Sequence, residues 1–595
     1  MSAPTTRRTW YRTLAATPAL NLVSALPGSE HRTAGLWDRG TPELVAQELS
    51  PFSVDDALRV RSISIADATR NARWIAARIT PRSGRFDTDH FRFGDPTYIA
   101  PGLNELVVID TETGVQSAVF DGLGQSQGET WSDDGSLLAF RYLDGGSPVL
   151  GLYDREAGST RDLYLTDDRE LAWGGDLVWL PDGRHLLAPF RAPGWRDLAV
   201  ERYTAMEEGP VVVQDGGEDF LSWDAVRNLG RLAELSIVDT ETGAVTPLLG
   251  EAPYANVEVT DDGSHLFYVI GQPLRTSYSR GEGTEYSYFR IPLGADGLPA
   301  GDPETVTEAG ERQKRLEISP DGFSVAWADR GDLFVHAVGA DSAVKISEDL
   351  RTHLSAADTT KRSFSLERWA PDGSSLLARA QDGWYLVAPD GSSSERVWAI
   401  PGDTEEEREE APARSVVQWT EDGRYLYATH SARDRWERGM VRFDLEERAE
   451  EVLFADANLY RSVTVARDGS RIVARLSDGD RPDDLVAWDG RAVGRRALTD
   501  LNGFLDQVAM TRSELIEYLD VDGEKQFGVL YYPVDYQAGE AYPLVAEVYE
   551  EFFDNGYRES ANLIAAQGWF MLRPSVGFEI GFPGEAWMKG VTTAI

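Results

Sequence analysis

The chain has no cysteine, which excludes disulfides, thiolate metal sites and cysteine nucleophiles, though not residence outside the cytoplasm. Bases are few beside acids: 58 Lys and Arg stand against 99 Asp and Glu, for a net charge of -41. Such a surface repels nucleic acid and anionic membranes over most of its area, so no nucleic-acid partner is expected. Its simplest reading is solubility, in a medium whose salt screens self-repulsion. No apolar run approaches the roughly 20 residues that cross a bilayer, and no transmembrane segment is expected. Hydrophobic residues make up 42 % of the chain, enough for a substantial core.

At the N-terminus, Arg7, Arg8 and Arg12 precede a modest apolar stretch from Thr13 to Leu26. Val23-Ser-Ala25 has the small residues of a cleavage site, so residues 1–26 have the order of an export signal within a leader of residues 1–47. Pro18 and Asn21 interrupt the stretch, and a disordered leader is the alternative. The protein is periplasmic or secreted on the first reading and cytoplasmic on the second.

What the chain has in abundance is one repeated phrase: an aromatic or β-branched residue, a polar step, Asp-Gly, then an alternating apolar strand. It occurs as Trp131-Ser-Asp-Asp-Gly135, Trp179-Leu-Pro-Asp-Gly183, Val259-Thr-Asp-Asp-Gly263 and Ile318-Ser-Pro-Asp-Gly322. It returns as Trp369-Ala-Pro-Asp-Gly373, Trp419-Thr-Glu-Asp-Gly423 and Val465-Ala-Arg-Asp-Gly469. Asp-Gly supplies the positive φ of a tight hairpin. A second turn, as in Leu106-Val-Val-Ile-Asp-Thr-Glu-Thr-Gly114, implies about four short strands per unit of roughly 50 residues. A sheet that small cannot bury both faces alone, but sheets stacked around an axis can, so residues 48–504 are predicted to form a β-propeller. Arg73-Trp-Ile-Ala-Ala-Arg-Ile79 reads as a degenerate first copy and brings the count to eight blades. Seven stays open, because the 80 residues between Gly183 and Gly263 are irregular. The tryptophans at 131, 179, 369 and 419 are expected to pack between blades, and the run from Asp403 to Ala411 to be a solvated acidic loop.

After Leu498-Thr-Asp-Leu-Asn502 the rhythm changes. Leu515–Leu519 and Gln526–Tyr532 read as a hairpin around Asp522-Gly523, followed by an apolar strand from Tyr542 to Tyr549. A helix over 561–568 ends at a C-cap glycine, and Trp569–Arg573 is the next strand. Strand-helix-strand order implies a mostly parallel sheet flanked by helices. The fold class is therefore mainly β: a seven- or eight-bladed propeller, then the N-terminal part of an α/β-hydrolase domain over 505–595.

These features together resemble the prolyl-oligopeptidase family of serine peptidases, which includes dipeptidyl-peptidase-like and acylaminoacyl-peptidase-like enzymes. The resemblance rests on the propeller, the Leu498–Asn502 exit phrase, "DVDGEKQFGVLYYPVDYQAGEAYPLVAEVYEEF" at 520–552 and "GWFMLRPSVGFEIGFPGEAWMKGV" at 568–591. It implies a Ser-His-Asp triad acting on short peptides by acyl-enzyme chemistry, with no cofactor and no metal. It also implies that Tyr549, after the third hydrolase strand, donates a hydrogen bond to the oxyanion. Here Glu550-Glu-Phe-Phe553 stands where the family often has a Gly-rich turn, and two carboxylates there would oppose developing negative charge unless they point away. Aminopeptidase-type relatives hold the substrate amine with paired glutamates, and Glu207-Glu208 could serve so; an exposed acidic loop is the alternative. A homo-oligomer is also allowed.

The nucleophile of such a domain lies in a Gly-x-Ser-x-Gly elbow between strand and helix. Gly124-Gln-Ser-Gln-Gly128 fits the pattern but sits between two propeller strands, so Ser126 is rejected. All seven histidines precede the hydrolase portion. The triad is therefore expected to lie beyond Ile595, which makes this chain inactive and the hydrolase domain truncated before its nucleophile. On that expectation the strand at 569–573 leaves an unpaired edge, and residues 505–595 are less stable than the propeller. A non-catalytic propeller that binds a peptide or protein, and an esterase-type parent, remain as alternatives.

Overall fold

The seven Asp-Gly turns all adopt the backbone geometry that favours glycine. Gly135, Gly183, Gly263, Gly322, Gly373, Gly423 and Gly469 have φ between +67° and +77°, a region that costs other residues about 1–2 kcal/mol. The aspartate before each glycine caps the turn by accepting the backbone N–H two residues on, as Asp134 does from Ser136 at 2.9 Å and Asp422 from Arg424 at 3.0 Å. The glycine N–H then closes on the carbonyl three residues back, Gly135 on Ser132 at 2.8 Å. The degenerate first copy is built the same way from other residues. Asn71 replaces the aspartate, accepting from the Arg73 N–H at 3.1 Å, and Ala72 occupies the glycine position at φ 49°.

This computed structural model describes residues 49–85, 96–98, 102–207, 209, 211, 217–275, 283–310, 316–347, 362–577 and 582–595. The candidate export signal at 1–26 and Glu208 lie outside them. Each turn joins the first two strands of a four-stranded antiparallel unit, and eight such units are present among the described residues. Six are separate sheets, from Arg61–Ala68 in the first unit to Arg496–Ala497 in the eighth. The third and fourth are fused into seven strands by Val245–Val259, whose early residues pair with Leu232–Asp239 and whose late residues pair with His265–Pro273. The long interval before Gly263 is thereby explained. It holds two helices inserted between His185–Phe190 and Leu232–Asp239, which still pair from His185↔Asp239 to Phe190↔Glu234.

Among the described residues the six α-helices are α1 (Val54–Arg59), α2 (Trp195–Glu207), α3 (Ser222–Arg231), α4 (Glu405–Glu410), α5 (Glu559–Ala565) and α6 (Pro583–Ala594). The acidic run expected as a loop contains α4. Thr404 caps it by accepting from the Glu407 N–H at 3.1 Å while Glu407 accepts from the Thr404 N–H, a capping box that outweighs like-charge repulsion in water.

Apolar residues are buried between units rather than within them. Ala76, Leu106 and Val108 of the first unit pack on Leu138, Phe140 and Tyr153 of the second. Ile63, Ile75 and Ile79 of the first unit pack on Val473, Leu485 and Ala487 of the eighth. The four repeat tryptophans are buried, and two fasten onto the preceding unit: Trp179 Nε1 donates to Thr130 O at 3.0 Å and Trp369 Nε1 to Glu317 O at 2.9 Å. The exit phrase completes the contact between first and last units. Asn502 Oδ1 accepts from the Arg61 N–H and its Nδ2 donates to Arg61 O, both at 2.9 Å, so one side chain imitates a strand partner. Ser50–Ile595 packs as one unit.

Beyond Asn502 the topology becomes mixed. Ser513–Leu519 pairs antiparallel with Lys525–Tyr531, which pairs antiparallel with Phe570–Pro574, which pairs parallel with Leu544–Ala546. The crossover through α5 returns the chain between two earlier strands. One sequence expectation is thereby corrected: Phe570–Pro574 is interior, and the edges of the sheet are Ser513–Leu519 and Leu544–Ala546.

Two measurements check this account. Gly183→Ala adds a Cβ with nothing within 4 Å, whereas Gly135→Ala places one 2.9 Å from Thr69 Cγ2. The first is expected to cost about 1–2 kcal/mol of backbone strain and the second more, read as loss of urea midpoint. Asp67, whose carboxylate accepts from the Trp131 N–H at 2.7 Å across two units, has its pKa raised to about 6 by burial. A raised folded-state value contributes stability that is complete below the unfolded pKa and lost as pH rises through 6. Asp67→Asn is therefore expected to raise the melting temperature at pH 8, by on the order of 1–3 kcal/mol in stability, and to change little at pH 4.

Candidate functional site

The parallel pair Leu544–Ala546 and Phe570–Pro574 ends where the chain turns out of the sheet, and in open α/β sheets ligands bind beyond such carboxyl ends. The Glu547 N–H extends the ladder by one bond to Leu572 O at 2.9 Å. From there to Phe553 the chain is a loop held at several points. Arg573, almost fully buried, pairs with Glu547 at 3.2 Å and lies 3.6 Å from the centre of the Phe552 ring. Burial lowers its pKa from the usual arginine value. Ser575 Oγ accepts from the Phe552 N–H at 2.9 Å and donates to Phe552 O at 3.1 Å. The Val576 N–H donates to Glu550 O at 3.1 Å, and Trp587 Nε1 of α6 donates to Tyr549 O at 2.8 Å.

The brace fixes the backbone of Tyr549 and leaves its side chain outside. The phenol is 63 % exposed, and among the described residues it has no hydrogen-bond partner. It is a donor on the lip of the sheet's carboxyl end, available to an oxygen that carries negative charge. Glu550 and Glu551 are both exposed, where water weakens their repulsion. The loop's far end is fastened to the antiparallel units: Trp436 Nε1 donates to Phe553 O at 2.5 Å and Arg438 Nη1 to Asn555 Oδ1 at 2.8 Å. Arg82 of the first unit pairs with Glu559 of α5 at 2.7 Å.

Glu207 is the last residue of α2, exposed, and accepts from the Tyr203 hydroxyl at 2.6 Å one turn earlier. Its intended partner Glu208 is outside the described residues, so the pair is not brought together with Tyr549 by any contact here. Ser126 is 1 % exposed, and its Oγ lies 2.9 Å from Asn104 Oδ1 and 3.0 Å from Glu129 Oε1. No histidine is among its hydrogen-bond partners, and it is shut away from solvent.

Sequence reasoning missed Arg573, Ser575 and Trp587, which carry no motif. It also missed two buried arginines beside the helical insertion. Arg141 donates to the carbonyls of Ala172, Gly174 and Gly175 and is pushed down by burial to about 10, still cationic at neutral pH. Arg191 donates to Gly230 O and Leu232 O beneath the Trp195 ring. A lone arginine within an apolar strand was the one visible signal for Arg141 and Arg573. Among the described residues no group of three or more His, Asp or Glu is arranged to hold a metal ion, and no helix is long and apolar enough to cross a membrane.

No family model matches the chain, and no curated protein matches it in sequence. Solved structures do match in fold, among them several peptidases. An acylaminoacyl peptidase in complex with Z-Gly-Gly-Phe-chloromethyl ketone aligns at TM-score 0.50 and 13 % identity, over 88 % of this chain and 67 % of that one. The Pyrococcus horikoshii acylaminoacyl peptidase aligns at 0.48 and 14 %, over 87 % and 66 %. A Mycobacterium tuberculosis puromycin-hydrolyzing peptidase aligns at 0.45 and 17 %, over 77 % and 67 %. The chain thus spans about two thirds of the length of the structures it matches. At such identities the likeness is one of fold, and it rests on the first: a mainly β architecture of antiparallel sheets with a limited α/β part.

Ser575→Ala is expected to leave the N–H and carbonyl of buried Phe552 without partners, at a cost of about 1–3 kcal/mol. Amide exchange at Phe552 should accelerate while exchange in the Leu376–Ala380 strand stays as it was.

Proposed function

We propose that this chain carries an eight-bladed propeller, over residues 48–504, and the leading part of an α/β-hydrolase domain, over 505–595, of a serine peptidase of the prolyl-oligopeptidase kind. Packing of the first unit against the eighth, with the Asn502 clasp, supports a closed ring. The observation that carries the reading is the braced loop Glu547–Phe553. It follows the third strand of the mixed sheet and precedes α5, and in α/β-hydrolases the loop after the third strand supplies an oxyanion donor.

Tyr549 is assigned as that donor. Acyl transfer from a short peptide passes through a tetrahedral intermediate whose oxygen gains a full charge, and a donor held ready for that charge lowers the barrier. The attacking serine, its histidine and the orienting acid are assigned to the parent protein outside these 595 residues. Glu207 and Glu208 are assigned to the substrate ammonium. Strand direction supports the placement of Glu207: α2 lies between the second and third strands of its unit, as does the turn bearing Trp436. In a ring of such units these connections share one face, the face that meets the hydrolase-like segment.

The gene product from the source organism tests the reading. Treated with a fluorophosphonate, which phosphonylates active serine nucleophiles, it should be labelled at one serine, with an intact mass above 65.8 kDa, while the 595-residue chain stays unlabelled. A native product of this length that takes no label would overturn the peptidase assignment.

A further inference from the structure

Six of the eight repeat turns are tied to one another at one end of the units. The residue before the capping Asp or Asn is charged in five turns, as Arg70, Asp133, Asp261, Glu421 and Arg467, and proline in the other three. Arg70 Nε of the first unit pairs with Asp133 of the second at 2.5 Å. The Arg467 N–H of the eighth donates to Arg70 O, the Glu421 N–H of the seventh to Arg467 O, and the Asp262 N–H of the fourth to Pro320 O of the fifth. All of these join neighbours. One contact does not: Arg467 Nη1 lies 2.6 Å from Asp261 Oδ1, which joins the eighth unit to the fourth across 206 residues.

In a ring of eight, the fourth and eighth units are opposite. A single arginine bridges them only where the bore has narrowed to the reach of that side chain. On the ring reading given above, we infer that the turn-side end of the bore is closed by the Arg467–Asp261 pair, with Arg70–Asp133 beside it. A ligand of the interior, a short peptide if the proposed activity is right, then enters from the opposite end, where the hydrolase-like segment lies. Beside this end, between the fourth and fifth units, is a cavity of about 650 Å³ lined by Asn256, Glu258 and Glu317, with Asp261 and Pro320 at its turn end. Arg467 brings a cation to Asp261 near Glu258 and Glu317, so this end shuts by charge. All four side chains keep access to water, which makes the closure sensitive to salt.

A chain without cysteine allows a clean test. Asn256→Cys places one thiol in that cavity, to be modified by N-ethylmaleimide and by a maleimide on a bulky rigid dye. The small reagent should react readily and the bulky one slowly. Adding Arg467→Ala and Arg70→Ala, or 1 M salt, should speed the bulky reagent by roughly tenfold while the small one is little changed. The swap Asp261→Arg with Arg467→Asp should restore slow reaction, which a merely loosened fold would not. Slow bulky modification in every variant would overturn the closure and leave the ring standing. Fast bulky modification already in Asn256→Cys alone, with no further gain in the variants or in salt, would also overturn the closure.

Discussion

A four-stranded antiparallel sheet of short strands has two apolar faces and no means of covering either, and the organisation of this protein answers that constraint. Each unit covers its faces with its neighbours, and the first covers its outer face with the last. Two of the tryptophans that open the repeat phrase, Trp179 and Trp369, strengthen the contact by donating from one unit to a carbonyl of the one before. Stability therefore resides at junctions between units. The Asp-Gly turns matter because they fix the angle at which each first strand presents itself to a junction.

The same logic governs the loop around Tyr549. Its shape comes from partners outside it: a buried guanidinium under Phe552, a serine that satisfies both backbone groups of that residue, and an indole on the Tyr549 carbonyl. A loop held this way keeps a side chain pointed at solvent without local secondary structure. On the proposed function, this is how Tyr549 would be in place before the charge develops.

Much of the fold was legible in the sequence because its turns need particular residues. Asp-Gly announces a left-handed turn and its cap, so seven units could be read directly. The eighth was partly hidden because Asn71 and Ala72 do the same work with less typical chemistry. The irregular interval was hidden for another reason: strand pairing tolerates an insertion at a turn, so two helices stretched the spacing without altering the register. Strand order in the last segment was not legible, since pattern marks a strand but not which neighbour it chooses, and the edge was assigned to the wrong one. The site was less legible still. Tyr549 and Glu207 came from resemblance, and the residues that position the Tyr549 loop are an arginine, a serine and a tryptophan with ordinary surroundings in sequence.

The 15-residue strand Val245–Val259 serves two sheets at once. No other pair of neighbouring units shares a strand among the described residues, so a unit there can fray while the next holds. Between the third and fourth, one continuous backbone belongs to both, and fraying of either strips hydrogen bonds from the other. These two units therefore form a single cooperative element that opens as a whole.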